Sequence, residues 1–142
     1  MWEKIMETIT YLKSKGLRVD AIGWQAHLRT TSLSIEDLKY LDFLIDWAHN
    51  NNMEFHVTEL NLWVKEENPD LDSIKNIQAE LYQKIINKMI SKKNNGVVAL
   101  NFWGIKDRKG PNKLNKNILS IYDQSLHSNP GLNTIKRSLK SK

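Results

Sequence analysis

With 142 residues, 40% of them hydrophobic and 26% charged, the chain is long enough for one globular domain with a core. It contains no cysteine, which excludes disulfides and thiolate metal sites; no cofactor and no metal are expected. The net charge of +5 comes from scattered lysines such as Lys84, Lys88, Lys92, Lys113, Lys136 and Lys140, with no basic segment interleaved with aromatics. No nucleic-acid partner is therefore expected, and the apolar runs are too short to imply a membrane one.

The first residues, Met1 to Glu7, are amphipathic and acidic, unlike the basic start and apolar block of a signal peptide. Trp2, Ile5, Met6, Ile9 and Leu12 recur at helical spacing, and Gly16 suits a C-terminal cap. Val19 to Leu28 then reads as one buried strand. Ser34, with Asp37 three residues on, marks a helix start that runs to Asn50-Asn51-Asn52. Met53 to Leu62 is a second strand, followed by a polar loop through Glu66, Asn68, Pro69 and Asp70.

A further helix carries Ile74, Ile77, Leu81, Ile85, Met89 and Ile90 and stops at Asn94-Asn95-Gly96. Val97 to Trp103 is a third strand. A basic loop (Lys106 to Lys116), a short apolar piece (Ile118 to Tyr122) and a last helix from about Pro130 complete the chain. Strands alternating with helices predict an α/β architecture with parallel strands and right-handed crossovers. No linker divides residues 1–142, so they form one domain or part of one.

In parallel strands the C-terminal ends meet at one edge, where open α/β sheets and barrels keep their chemistry. Alternation places Gln25 and His27 on one face of the first strand. It places Phe55, Val57, Glu59 and Asn61 on one face of the second, with Glu54 facing away from Glu59. Asn101 and Trp103 share a face of the third. Each has an ordinary structural meaning too. Glu59 could pair with a surface lysine, His27 could be a core histidine, Gln25 could satisfy backbone groups, and Trp103, like Trp24 and Trp63, could be packing. Their convergence at one end of successive strands is what points to a cleft.

The motifs narrow the choice. Gly23-Trp24-Gln25-Ala26-His27, Thr58-Glu59-Leu60-Asn61 and Phe102-Trp103-Gly104-Ile105-Lys106-Asp107 occur in this order. They resemble three successive motifs in the C-terminal part of family 10 glycoside hydrolases, the xylanases. The resemblance covers most of the chain. It implies a partial (β/α)₈ TIM barrel, with residues 1–142 supplying strands six to eight and their helices.

It also implies a retaining endo-β-1,4-xylanase chemistry on xylan or xylo-oligosaccharides. Glu59 would be the nucleophile, His27 would orient it, and Asn61 would stand behind His27 where the family has Asp or Asn. Gln25 and Trp103 would line the substrate cleft, the indole as a platform for a sugar ring.

Two departures follow from the same resemblance. A retaining enzyme needs a second carboxyl about 5–5.5 Å from the nucleophile, and the family's acid/base follows an Asn at the end of strand four. No Asn-Glu pair occurs in this sequence, so the acid/base is expected from an N-terminal part of the barrel, itself an expected partner. The isolated chain is then expected to be inactive on xylan. The family also places a second Trp after the Phe-Trp-Gly motif, where this chain has Asp107-Arg108-Lys109-Gly110-Pro111-Asn112.

A complete barrel takes about 250 residues, so an uncovered inner face and a large loss of apolar burial are expected. The family is usually secreted and no leader is read here, which leaves the compartment open. The alternatives are a non-catalytic sugar-binding remnant, a different retaining (β/α)₈ glycosidase, and a small α/β interaction domain with coincidental motifs.

Overall fold

The computed structural model describes residues 2–64, 70–108 and 117–140. Glu66, Asn68 and Pro69 of the polar loop lie outside them, as does the basic stretch from Lys109 to Lys116.

Helix α1 spans Trp2–Ser14 and ends where Gly16 adopts a φ of 75°, allowing the Leu17 N–H to donate back to the Leu12 carbonyl. The first strand differs from expectation. Two short pieces, β1 (Ala21–Trp24) and β2 (His27–Arg29), replace one continuous strand. Ala26 separates them with a φ of 52°, a left-handed conformation that cannot continue a strand. Helix α2 (Ile35–Asn50) starts on the expected reciprocal cap, Ser34 Oγ accepting from the Asp37 N–H and the Asp37 carboxylate from the Ser34 N–H.

Strand β3 (Glu54–Val64), helix α3 (Leu71–Lys92) and strand β4 (Val98–Phe102) follow. Strand β5 (Asn117–Leu119) and helix α4 (Pro130–Lys140) complete the described chain.

Strand β3 is the hub of the sheet, with β1, β2 and β4 all parallel to it. Strand β5 departs from the all-parallel expectation: it runs antiparallel, Leu62 opposite Leu119. The cause is local. Arg108 and Ile118 exchange both backbone hydrogen bonds, so the chain doubles back beside the upper end of β3.

A bulge in β3 decides which side chains face where. Val57 is opposite Leu100, and Leu60 is opposite Phe102, so three steps of β3 match two of β4. Leu100 and Phe102 share a face by alternation, and therefore Val57 and Leu60 do as well. Phe55, Val57, Leu60, Leu62 and Val64 are thereby all turned to the helices and at most 1% exposed. They pack with Leu44 and Ile45 of α2 and Tyr82 and Ile85 of α3.

The opposite face carries Glu54, His56, Glu59 and Asn61. Two expectations are corrected by this: Glu59 and Asn61 do not share the face of Phe55 and Val57, and Glu54 lies on the same face as Glu59. Simple alternation fails because the extra residue of the bulge shifts its parity.

The uncovered face is thus polar. Glu54 and His56 on it are partly exposed and pair with each other at 2.7 Å. The unfilled valences are the hydrogen-bonding groups along the outer edges of β1 and β4, each of which pairs with β3 alone among the described residues.

Candidate active site

Glu59 stands just past the bulge, at the upper end of β3, with a quarter of its side chain exposed. His27 opens β2 directly across from Asn61 in the parallel register. That register, with the kink at Ala26, sets the imidazole between two β3 side chains. His27 Nε2 lies 3.2 Å from Glu59 Oε2, and His27 Nδ1 lies 3.0 Å from Asn61 Oδ1. Gln25 Nε2 donates to Glu59 Oε1 at 3.4 Å, a long and weak bond. The expected meeting of Gln25, His27, Glu59 and Asn61 therefore occurs, although the strand carrying the first two is broken.

Both neighbours of His27 offer it oxygen. A neutral imidazole has one N–H and a protonated one has two. Only the protonated ring donates to Glu59 and Asn61 together in this arrangement. Turning the Asn61 amide end for end gives the neutral ring an alternative, with Asn61 Nδ2 donating to Nδ1 and Nε2–H donating to Glu59. Asn61 is fully buried, and its Nδ2 has no hydrogen-bond partner among the described residues. An Asp at that place could only accept; Asn serves either form of the histidine.

Two indoles frame the ring. Trp63 stacks on His27 at 5.0 Å and 28°, and Trp103 meets it edge-on at 6.4 Å and 77°. Trp103 is about half exposed and available to a ligand. Trp63 could be packing on the sequence alone; alternation already puts residue 63 on the face of Glu59 and Asn61, but no signal in the sequence shows that His27 stacks on it. Asn101 does not join the carboxylate. Its Nδ2 reaches the Val57 carbonyl at 3.4 Å, beside the bulge.

Behind Trp103 is a buried polar knot that the sequence did not reveal. Ser120 and Asn129 are at most 1% exposed, and both bond to the Asp107 carboxylate. Burial pushes the Asp107 carboxyl up from its ordinary value, against the pull of those two donors. Among the described residues no group of three or more His, Cys, Asp or Glu is placed to hold a metal.

A sheet built mainly of parallel strands with helices on one face, and a carboxylate, a histidine and two indoles gathered toward the strand C-termini, defines part of a (β/α)₈ barrel. Solved structures agree. Xylanase 10B of Thermotoga petrophila RKU-1, solved with xylobiose, matches with a TM-score of 0.78 at 24% identity, over 96% of this chain and 41% of that one. The Penicillium canescens endo-1,4-beta-xylanase XylE matches with a TM-score of 0.81 at 16% identity, over 97% and 41%.

The model of Glycosyl hydrolase family 10 matches residues 2–138, and the chain belongs to that family. A curated relative, Endo-1,4-beta-xylanase A of Caldicellulosiruptor sp. (strain Rt8B.4), is 28% identical over 109 residues, 74% of this chain but 16% of that protein. The chain thus spans well under half the length of these relatives.

Proposed function

We propose that these residues are the nucleophile-bearing portion of a retaining, xylanase-type glycoside hydrolase, equivalent to strands six to eight of its barrel. The observation that carries this reading is His27 held between Asn61 and Glu59, with Trp103 beside it. Glu59 attacks the anomeric carbon of a β-xylosyl unit, forming a glycosyl-enzyme ester that water later opens with net retention. His27 orients the attacking carboxylate, and Asn61 orients His27. Gln25 contributes a donor to the same cleft, and Trp103 presents an apolar ring to the sugar. The substrate class is xylan or xylo-oligosaccharide, as in the relatives solved with xylobiose and xylotriose.

The general acid/base is proposed to come from barrel strands other than those described. Glu54 shares the inner face but is held by His56 and lies on the other side of the bulge from Glu59. Polypeptide carrying the remaining strands would close on the open edges of β1 and β4, whether continuous with this chain or separate from it.

An aryl xylobioside with a dinitrophenyl leaving group needs little protonation, so its fluorinated form tests the nucleophile without the acid. Intact-mass analysis should show one glycosyl adduct, located on Glu59 by digestion and absent from Glu59→Gln. Adduct on another residue, or none in a chain shown to be folded, would refute the assignment of Glu59. The sugar-binding alternative is favoured by the lack of a second free carboxylate beside Glu59 among the described residues. It gives xylotriose binding that Glu59→Gln leaves unchanged, with no adduct.

A further inference from the structure

Trp103 follows the last residue of β4 and is anchored by one backbone bond, its N–H donating to the Leu60 carbonyl at 3.1 Å. The next residue, Gly104, has a φ of 84°, a left-handed turn that directs the chain away from the sheet. A half-exposed indole on such a turn needs something to hold the turn. Ser120 does this from within the protein. Its Oγ donates to the Gly104 carbonyl at 2.5 Å.

Ser120 is itself held on every side. Its N–H donates to Asp107 Oδ1 at 2.7 Å, and its carbonyl accepts from Gln78 Nε2 at 2.8 Å and Asn129 Nδ2 at 3.1 Å. Asn129 Nδ2 also reaches Asp107 Oδ1 at 3.0 Å. Ser120 and Gln78 are fully buried, so the clamp is built on the core between β5, α3 and the start of α4. Core rigidity is in this way transmitted across one hydroxyl to the residue adjoining Trp103.

We propose that Ser120 is a positioning residue: its hydroxyl, by holding the Gly104 carbonyl, fixes the Trp103 ring against His27 and so shapes the sugar-facing wall of the site. The part of this that concerns sugar rests on the function proposed above. The part that concerns the ring does not. Functional sites are accurate where supporting bonds lock the rotamers of the residues that touch the ligand.

The test uses the chain itself with Ser120→Ala and Ser120→Cys, the latter keeping the shape with a weak donor. Circular dichroism first establishes that each variant is folded. Nuclear magnetic resonance then reads the Trp103 indole N–H cross-peak and the Overhauser contact between the Trp103 and His27 rings, and xylotriose is titrated as the ligand.

In Ser120→Ala we expect the contact to fall to a small fraction of its wild-type intensity and the cross-peak to broaden or split. Xylotriose affinity should drop roughly fivefold to tenfold, the scale of one lost hydrogen bond. Ser120→Cys should be intermediate, and it keeps the test readable if the alanine variant does not fold. An unchanged contact in either folded variant overturns the proposal. A lost contact with unchanged xylotriose affinity overturns it as well. A lost contact in a chain that binds no xylotriose even as wild type supports the clamp and counts against the proposed function.

Discussion

Val57 and Leu60 lie three residues apart in one strand and face the same side of the sheet. An unbroken strand would put them on opposite sides. The bulge between them lets the run from Phe55 to Val64 keep its apolar residues on the helices while Glu59 and Asn61 turn to the open face. A strand thus changes its alternation next to the residue proposed to do the chemistry, a place where bulges commonly re-aim side chains.

The two faces of β3 should respond differently to substitution. Phe55 is fully buried against the helices, so Phe55→Ala should cost about 3–5 kcal/mol in urea denaturation. Glu54→Gln loses only a partly exposed pairing with His56, worth less than about 1 kcal/mol. Comparable losses for both would show that the open face contributes to the core after all.

Much of the fold was legible because long periodic segments dominate it. The stripe from Ile74 to Ile90 and the Ser34–Asp37 cap both form as read. The residues gathered around Glu59 were legible as motifs rather than as geometry. Their faces depended on two backbone irregularities, the left-handed Ala26 and the bulge before Leu60, and neither residue type announces itself. Alanine rarely adopts a positive φ, and Thr58-Glu59 has no bulge signature. Strand β5 was hidden for another reason. Three residues paired antiparallel to a distant strand leave no period in the sequence, and the Ser120 knot they carry depends on contacts far apart in the chain.

Replacing Asn61 tests the support behind His27. Asn61→Leu keeps similar bulk but removes the group facing Nδ1, at a fully buried position. The His27 ring is part-buried, so a ring nitrogen left without a partner costs toward the low end of about 1–3 kcal/mol, and urea stability should fall by about 1 kcal/mol. Formation of the adduct on Glu59 should slow by about 10²-fold through misplacement of the carboxylate. Full stability together with an unchanged adduct rate would remove Asn61 from the proposed site.

Stability in acid should depend on the link between α2 and α3. Lys88 and Lys92 reach Asp42 at 2.9 and 3.3 Å. Burial opposes the charge on Asp42, but the two ammonium groups outweigh it and hold the carboxyl below its ordinary 3.8. A carboxyl lowered in the folded state contributes stability that is complete above the unfolded value and is lost as pH falls through the folded one. Wild type should therefore lose part of its stability on acidification below 3.8, and Asp42→Asn should be less stable near neutrality with a flatter profile in that window. Parallel profiles for the two proteins would mean that the ion pairs contribute nothing.

Asp107 should behave in the opposite sense. Burial raises its carboxyl above 3.8 despite the donors Ser120 and Asn129. A raised carboxyl binds its proton more tightly in the folded state, so folding is favoured as pH falls and disfavoured as pH rises through the folded value. Near neutrality the ionised group is a cost. Asp107→Asn removes that cost while its amide oxygen still accepts from the Ser120 N–H and Asn129 Nδ2. The variant should therefore be at least as stable as wild type at neutral pH, and its advantage should shrink on acidification as Asp107 itself becomes neutral. Denaturation midpoints followed across that range check both parts. A variant markedly less stable at neutral pH would show that the negative charge itself holds the knot together.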